Sequence, residues 1–160
     1  MKRPAKKVAT DRSFVVALAR GPGLHAAFMH ASIRSQDIVA EAARHDSPVQ
    51  NTRRFVADEP MALASTHLAA GDAILVLLAA AQRDPALHPD PDRFDPARGT
   101  RHLLGFGHGP HACPGMALAQ TIAAAGLESL CRTRLGDARQ LPARWPSRRW
   151  ANGRLPVFSI

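Results

Sequence analysis

Cys113 has the setting of a metal ligand. It lies in the ten-residue segment Phe-Gly-His-Gly-Pro-His-Ala-Cys-Pro-Gly at positions 106–115, which holds three glycines and two prolines. That composition excludes regular secondary structure and predicts a rigid, tight loop. Apolar residues recur at helical spacing from Met116, so the cysteine is predicted to lie where loop becomes helix, with Pro114 suited to the first turn. Unpaired amides and the positive end of the helix dipole favour a thiolate there. A thiolate on a glycine-rich loop predicts a metal ligand. The glycines also allow a broad group to approach the backbone of the loop closely.

Besides a metal-ligand loop, two other interpretations of these residues are open. A free cysteine beside a helix is most often a small buried hydrophobe. Alternatively, His102, His108, His111 and Cys113 supply four ligands for zinc. Their spacing fits no standard zinc pattern, and zinc leaves Phe106 and the three glycines unexplained.

The segment resembles the haem-binding signature of the cytochrome P-450 family, Phe-x-x-Gly-x-x-x-Cys-x-Gly. Phe106, Gly109, Cys113 and Gly115 occupy its fixed positions. The resemblance implies that the Cys113 thiolate is the axial ligand of the iron of haem b. It also implies that His111 contacts a haem propionate, and that all five of these residues form the cofactor-binding loop.

A second pair of residues, Glu41 and Arg44, lies on a helix predicted over 36–44. Residues three apart share a helix face and can form an ion pair, although such pairs are common on solvated helices. The pair resembles the Glu and Arg of the Glu-x-x-Arg helix in the same family. In that family the two residues pair with a third, an arginine before the haem loop. Pro-Asp-Arg-Phe at 91–94 matches that segment and makes Arg93 the third member. The resemblance implies a structural triad that clamps the cysteine loop.

Arg54 lies four residues after Gln50. It matches a further basic position of the family, an arginine that bonds a haem propionate. Arg53 is its immediate neighbour and the alternative assignment.

These residues are predicted to be positioned by helices over 24–30, 36–44, 73–82 and 116–134 and by strands over 52–57 and 61–68. Asp72 is a candidate N-cap for the third helix. A proline-rich connector covers 88–96, and a hairpin with its turn at 152–153 ends the chain. The fold class is therefore mainly α with small antiparallel β-sheets, a partial cytochrome P-450 fold. Residues 1–14 are expected to be a frayed basic start and 15–160 the C-terminal haem-binding region.

Composition narrows the partners and the compartment. The 160 residues are 46% hydrophobic, carry a formal charge of +8 and include two cysteines, which fits one intracellular domain without a disulfide framework. No basic–aromatic groove or zinc-finger spacing accompanies the charge, so nucleic acid is not expected. The longest apolar run, 73–81, is too short to span a bilayer. We expect a cytoplasmic protein.

The resemblance implies a monooxygenase that oxidises a small organic substrate with molecular oxygen and electrons from a ferredoxin-like partner. It covers only the C-terminal part of the family's fold. The sequence lacks the Ala/Gly-Gly-x-Asp/Glu-Thr motif of the helix that crosses the distal haem face. We therefore expect weak or no activity from this chain alone. The alternatives are a non-catalytic haem-binding or interaction module, or the remnant of a disrupted gene.

Overall fold

The computed structural model describes residues 21–133, 147–150 and 153–156. Its helices and strands follow in chain order: α1 (Pro22–Met29), α2 (Ser35–His45), β1 (Thr52–Phe55), β2 (Met61–Leu63), β3 (Thr66–Leu68), β4 (Ala73–Val76), α3 (Leu78–Ala81), the 3₁₀ helices η1 (Leu104–Phe106) and η2 (Gly109–His111), α4 (Met116–Thr133), β5 (Ser147–Trp150) and β6 (Gly153–Pro156). The predicted frayed start, 1–14, lies outside the described residues.

The core lies between α2 and α4. Each helix carries buried apolar residues one and four positions apart, a spacing that forms a single helical face. Partly buried side chains of α1 and of the later connector cover the edges of this contact, including Phe28 and Phe94. The buried cluster consists of Ile38, Val39, Ala42, Ala123, Ala124, Leu127 and Cys131. This packing fixes α4, which begins just after Cys113, against the helix that carries Glu41 and Arg44.

The sheets of the described residues are small antiparallel pairs, as predicted. β1 pairs with β4, with Thr52 opposite Val76 and Phe55 opposite Ala73. β2 pairs with β3, and β5 pairs with β6. The turn predicted at 152–153 includes residue 152, which lies outside the described residues. With the helices above, these pairs confirm a mainly α fold with small antiparallel sheets.

Two assignments of secondary structure from the sequence are wrong. Residues 61–68 form the hairpin β2–β3 and not one strand, because the chain reverses at Ala64, whose φ is +50°. Residues 73–82 do not form one helix. Their first part is the strand β4, since pairing with β1 satisfies its backbone groups, and only the short α3 follows.

Asp72 closes a turn and does not cap a helix. One of its carboxylate oxygens accepts a hydrogen bond from the backbone N–H of Ala69 at 2.8 Å. Its carbonyl accepts from Val56 N at 2.9 Å, which extends the pairing of β1 with β4. The helices predicted over 24–30, 36–44 and 116–134 are confirmed within one or two residues at the ends that the structure describes. No helix in the described part of the chain is long and apolar enough to cross a bilayer.

Candidate functional site

The loop that carries Cys113 is closed by a hydrogen bond between its two ends. The backbone N–H of Cys113 donates to the carbonyl of Phe106 at 2.7 Å, and its own carbonyl accepts from Met116 N at 3.2 Å, where α4 begins. The 3₁₀ helices η1 and η2 occupy the loop, and the Cys113 side chain is exposed. The loop therefore presents a free thiol at the start of a helix of 18 residues.

Glycine is required at one position that the family signature does not fix. Gly107 has φ +81°, and a Cβ added there would lie 2.2 Å from the carbonyl oxygen of His111. No side chain fits so close to backbone, so Gly107 lets the loop fold back on itself. Gly109 also has a positive φ, +56°, but with open space around it. At Gly115 a Cβ would lie 3.9 Å from the Cys113 sulfur, an ordinary contact that still covers part of the thiol.

The entrance of the loop rests on the end of α2. η1 contacts both α2 and α3, and a Cβ at Gly105 would lie 2.5 Å from the Ser47 hydroxyl. That hydroxyl donates to the carbonyl of Val49 at 2.9 Å. A side chain at 105 would therefore have to turn the Ser47 hydroxyl away from the Val49 carbonyl.

Glu41 and Arg44 form the predicted ion pair, and both are fully buried. Arg44 donates from Nη2 to Oε1 of Glu41 at 2.8 Å and from Nε to Oε2 at 2.9 Å. The backbone N–H of Asp95 adds a third hydrogen bond to Oε1 at 3.0 Å. Burial by itself raises the pKa of Glu41, but these hydrogen bonds and the nearby Arg98 hold that pKa below its usual value.

The prediction that the Arg93 side chain completes the triad is wrong. That side chain is exposed, and Arg93 joins the network through its backbone carbonyl, which accepts from Arg44 Nη2 at 3.2 Å and from Arg98 Nη2 at 3.2 Å. The further cations are Arg98 and Arg101, whose Nε atoms each lie 3.5 Å from an oxygen of Glu41. The motif places an arginine in this segment, but the fold of the connector decides which guanidinium turns inward.

The connector is tied to α2 through backbone carbonyls as well as charge. Arg44 Nη1 donates to the carbonyl of Gln82 at 3.0 Å, so the same guanidinium joins the residue after α3 to the connector. Arg98 also donates to the carbonyls of Pro89 and Asp90. Sequence reasoning missed these roles of Arg98, Arg101 and Gln82, since the only signal was charge or polarity in an irregular segment.

The two residues predicted to hold the propionates, Arg54 and His111, are both exposed. Arg54 lies on β1 opposite Ile74, and its Nη1 donates to the Thr52 hydroxyl at 2.7 Å and to the carbonyl of Arg53 at 3.0 Å. His111 ends η2, two residues before Cys113. Their contacts do not join them to one another in this structure.

A zinc site does not form. His102, His108, His111 and Cys113 all lie in the described part of the chain, and no group of three or more His, Cys, Asp or Glu residues in that part could hold a metal ion. A single exposed thiol remains as the strong metal donor on this loop.

Large apolar side chains of β1, of the segment 75–77 and of the start of α4 are exposed as well. Phe55 on β1 is 64% exposed and Leu118 on α4 is 62% exposed, and Leu75, Leu77 and Met116 are also exposed. Apolar surface of this kind is usually covered by a ligand or by further polypeptide. The exposed thiol of Cys113 on its glycine-rich loop is the kind of donor that a thiolate-bound haem requires.

Comparison of the sequence with protein families is consistent with a thiolate donor on this loop. The family model for cytochrome P-450 matches residues 35–133, from the start of α2 to the end of α4. The chain belongs to the cytochrome P-450 family. The match includes the Glu41–Arg44 pair and the whole Cys113 loop, and a haem-thiolate cofactor is what membership of this family implies.

Curated cytochromes P-450 match over part of their length. The chain is 42% identical over 92 residues to the cytochrome P-450 monooxygenase PikC of Streptomyces venezuelae, which covers 58% of this chain and 22% of that protein. It is 39% identical over 92 residues to the biotin biosynthesis cytochrome P-450 of Bacillus subtilis, covering 58% of this chain and 23% of that protein. Each of these matches therefore spans less than a quarter of the curated protein.

Solved cytochromes P-450 share the fold. CYP109Q5 from Chondromyces apiculatus superposes with a TM-score of 0.84 at 32% identity, over 94% of this chain and 39% of that one. CYP154A1 from Streptomyces coelicolor A3(2) superposes with a TM-score of 0.81 at 34% identity, over 94% and 40% respectively. The chain thus has a partial cytochrome P-450 architecture.

Proposed function

We propose that this chain binds haem b through the thiolate of Cys113 and serves the oxidation of a small organic substrate by molecular oxygen. The observation that carries the proposal is the exposed Cys113 thiol, which the Phe106 carbonyl and the first turn of α4 hold at the end of a closed loop. Phe106, Gly109 and Gly115 complete the haem-binding loop around it.

The Cys113 sulfur is the proposed axial ligand of the iron. Backbone amides at the start of α4 and the positive end of its dipole stabilise negative charge on that sulfur. The thiol is free and exposed, so a metal cation can reach its sulfur. Gly109 and Gly115 keep the loop free of side chains that would hold a flat ligand away.

Arg54 and His111 are the proposed partners of the two haem propionates. Both are exposed, and neither is ion-paired with a carboxylate in the part of the chain that the structure describes. A propionate can therefore replace water at each side chain at little cost, through charge-assisted hydrogen bonds from the guanidinium and, when protonated, from the imidazole. Glu41 and Arg44 hold the helix beneath the loop and do not touch the cofactor in this proposal.

Haem bound in this way supplies the one-electron chemistry and the electron-rich iron that favour cleavage of the O–O bond. The chain's own residues hold the sulfur on its closed loop and orient the cofactor. They do not include the acid-and-hydroxyl motif that delivers protons on the distal side in this family, nor the apolar shell that excludes water. We therefore propose that the chain alone is a poor catalyst.

Electrons are proposed to come from a ferredoxin-like protein in the cytoplasm. The net charge of +8 favours a partner with an acidic surface, because complementary charge speeds encounter. A non-catalytic haem-binding module is the alternative, and it shares the same ligand, Cys113.

Reconstitution tests both parts of the proposal. The purified chain is titrated with haem, and then supplied with a ferredoxin, its reductase and NADPH while NADPH consumed, hydrogen peroxide released and product formed are measured. We expect one haem per chain and most electrons recovered as peroxide. Haem binding without any NADPH oxidation would favour the non-catalytic module, and no stoichiometric haem binding would refute the proposal. Product formed in step with NADPH would show that this chain alone completes an active site.

A further inference from the structure

His88 is a fully buried histidine that the function above does not use. It lies in the connector after α3, and its Nε2 lies 3.1 Å from the backbone nitrogen of His102. Its ring packs edge-on against the exposed His102 ring, with centroids 5.7 Å apart. Because a backbone N–H can only donate, Nε2 of His88 is the acceptor, and the neutral ring carries its proton on Nδ1.

The residue that His88 holds is the entrance to the cysteine loop. The His102 carbonyl accepts from Leu104 N at 3.0 Å, and the Leu104 carbonyl accepts from Gly107 N at 2.9 Å. The loop then closes through the bond from Cys113 N to Phe106 O at 2.7 Å. Hydrogen bonds joined by short backbone segments thus connect the imidazole of His88, through η1, with the loop that bears the thiol.

The surroundings of His88 disfavour its protonated form. Arg44 from α2, Arg98 from the connector and His102 from the loop entrance all place positive or potentially positive charge towards it, and Glu41 is the opposing charge. Burial first, and then these cations, lower the pKa of His88. A protonated ring would also turn Nε2 into a donor facing the His102 N–H, so the bond would be lost.

We propose that neutral His88 is a positioning residue for the Cys113 loop, and that its protonation releases the loop entrance and weakens ligation at Cys113. The part concerning ligation rests on the proposed haem-thiolate function, whereas the part concerning the loop rests on the hydrogen bonds alone. The buried Nδ1 of His88 has no hydrogen-bond partner among the described residues. The role of this histidine therefore lies in the acceptor at Nε2, and not in hydrogen bonds from both ring nitrogens.

The sign of the pH effect follows from the lowered pKa. The unfolded or released state takes up a proton at the ordinary pKa of histidine, about 6.5, before the folded state does. Stability of the loop is therefore complete above that pH and falls as the pH drops below it, by at most about tenfold per pH unit for one proton. Fully exposed histidines contribute no such slope.

The test compares the full chain with His88→Gln, which keeps an acceptor near the position of Nε2 and cannot be protonated, and with His88→Phe, which has no acceptor. His67→Gln, an exposed change on β3, is the matched control. Amide hydrogen exchange of His102 and Leu104, corrected for intrinsic exchange, is followed by NMR from pH 8 to pH 5. The ferrous–carbonyl spectrum of the haem-loaded chain is recorded over the same range.

We expect wild type and His67→Gln to lose His102 protection below about pH 6.5, with the thiolate-type carbonyl spectrum declining in parallel. His88→Gln should stay protected and keep the thiolate spectrum at pH 5, apart from a smaller slope from half-buried His45, whose pKa burial also lowers. His88→Phe should have low His102 protection at every pH.

Undiminished His102 protection in His88→Phe, or a wild-type pH profile in His88→Gln, would overturn the proposal. Should His88→Phe fail to fold, the wild-type and His88→Gln profiles decide. If no variant binds haem, the proposed function fails but the exchange data still test the role of His88.

Discussion

The backbone N–H of Cys113 and the carbonyl of Phe106 are joined by a hydrogen bond of 2.7 Å. These are the cysteine and the aromatic residue of the family signature, and the bond brings the first residue of the signature next to its cysteine. The spacing between them is therefore a property of a closed loop, in which one residue too many or too few would break the bond. Backbone hydrogen bonds of Cys113 on both sides, to Phe106 and from Met116, hold the residue that bears the exposed thiol.

The first prediction concerns the fold of that loop. Gly107→Ala should destabilise the chain and disturb the loop, because the added Cβ would lie 2.2 Å from the His111 carbonyl oxygen and the residue has φ +81°. The matched control is Gly126→Ala in α4, where a Cβ meets nothing within 4 Å. The control should stabilise the helix by about 0.5–1 kcal/mol. Urea unfolding followed by circular dichroism measures both, and a Gly107→Ala variant as stable as wild type would contradict the structure of the loop.

The second prediction concerns the buried ion pair. Glu41→Ala should lower the free energy of unfolding by about 3–5 kcal/mol, because Arg44 would remain buried without its partner. Arg34→Ala removes a pair with the same three-residue spacing, that of Arg34 with Asp37 on an exposed surface, and should leave stability within experimental error. Urea unfolding at neutral pH separates the two cases, and equal effects would mean that Glu41 is solvated.

Acid should remove the stabilisation that the Glu41–Arg44 ion pair provides. Arg44 holds the pKa of Glu41 below its ordinary value, so the unfolded state binds a proton first. The stabilisation is complete above the unfolded pKa of about 4.3 and is lost as the pH falls through the lower folded value. The stability difference between wild type and Glu41→Ala should therefore shrink below pH 4.3, and a constant difference would contradict this account.

The third prediction separates the arginines of the connector. Arg98→Ala should cost about 1.5–3 kcal/mol, because Arg98 donates to backbone carbonyls of the connector and faces Glu41. Arg93→Ala keeps the carbonyl that Arg44 uses and removes only an exposed side chain, so its melting temperature should match wild type. The reverse order of the two effects would restore Arg93 as the third member of the triad.

The sequence predicted the parts of the site that backbone rules determine. Three glycines and two prolines allow only a loop around Cys113, and the three-residue spacing of Glu41 and Arg44 places them on one helix face. Long helices with a clear apolar face, α2 and α4, were also predicted because their periodicity extends over several turns.

Features that depend on tertiary pairing could not be predicted. The run 73–76 is apolar without a decisive period, and it becomes a strand only because β1 pairs with it. Ala64 reverses the chain without a glycine or asparagine to signal a turn. Arg93, Arg98 and Arg101 lie in one irregular segment, and only its fold determines which side chains reach Glu41. His88 likewise gave no signal, because its acceptor role depends on a backbone N–H fourteen residues later.

The fourth prediction concerns the propionate contacts. Arg54→Ala and His111→Ala should each speed the loss of haem by about tenfold, since each removes one charge-assisted hydrogen bond. Arg53→Ala is the control, because Arg53 is also exposed and lies beside Arg54 on β1 with the opposite orientation. Transfer of haem to an excess of apomyoglobin gives the rate. An effect of Arg53→Ala that exceeds that of Arg54→Ala would move the propionate contact to Arg53.

The fifth and most direct measurement is the absorbance spectrum of the haem-loaded chain, reduced and exposed to carbon monoxide. Wild type should give the thiolate-type ferrous–carbonyl spectrum, and Cys113→Ser should lose it because a neutral hydroxyl cannot replace a charged sulfur donor. Cys131→Ala, which removes the buried cysteine of α4, should keep the wild-type spectrum. A thiolate spectrum that persists in Cys113→Ser, or one that vanishes only in Cys131→Ala, would contradict the assignment of Cys113 as the haem ligand.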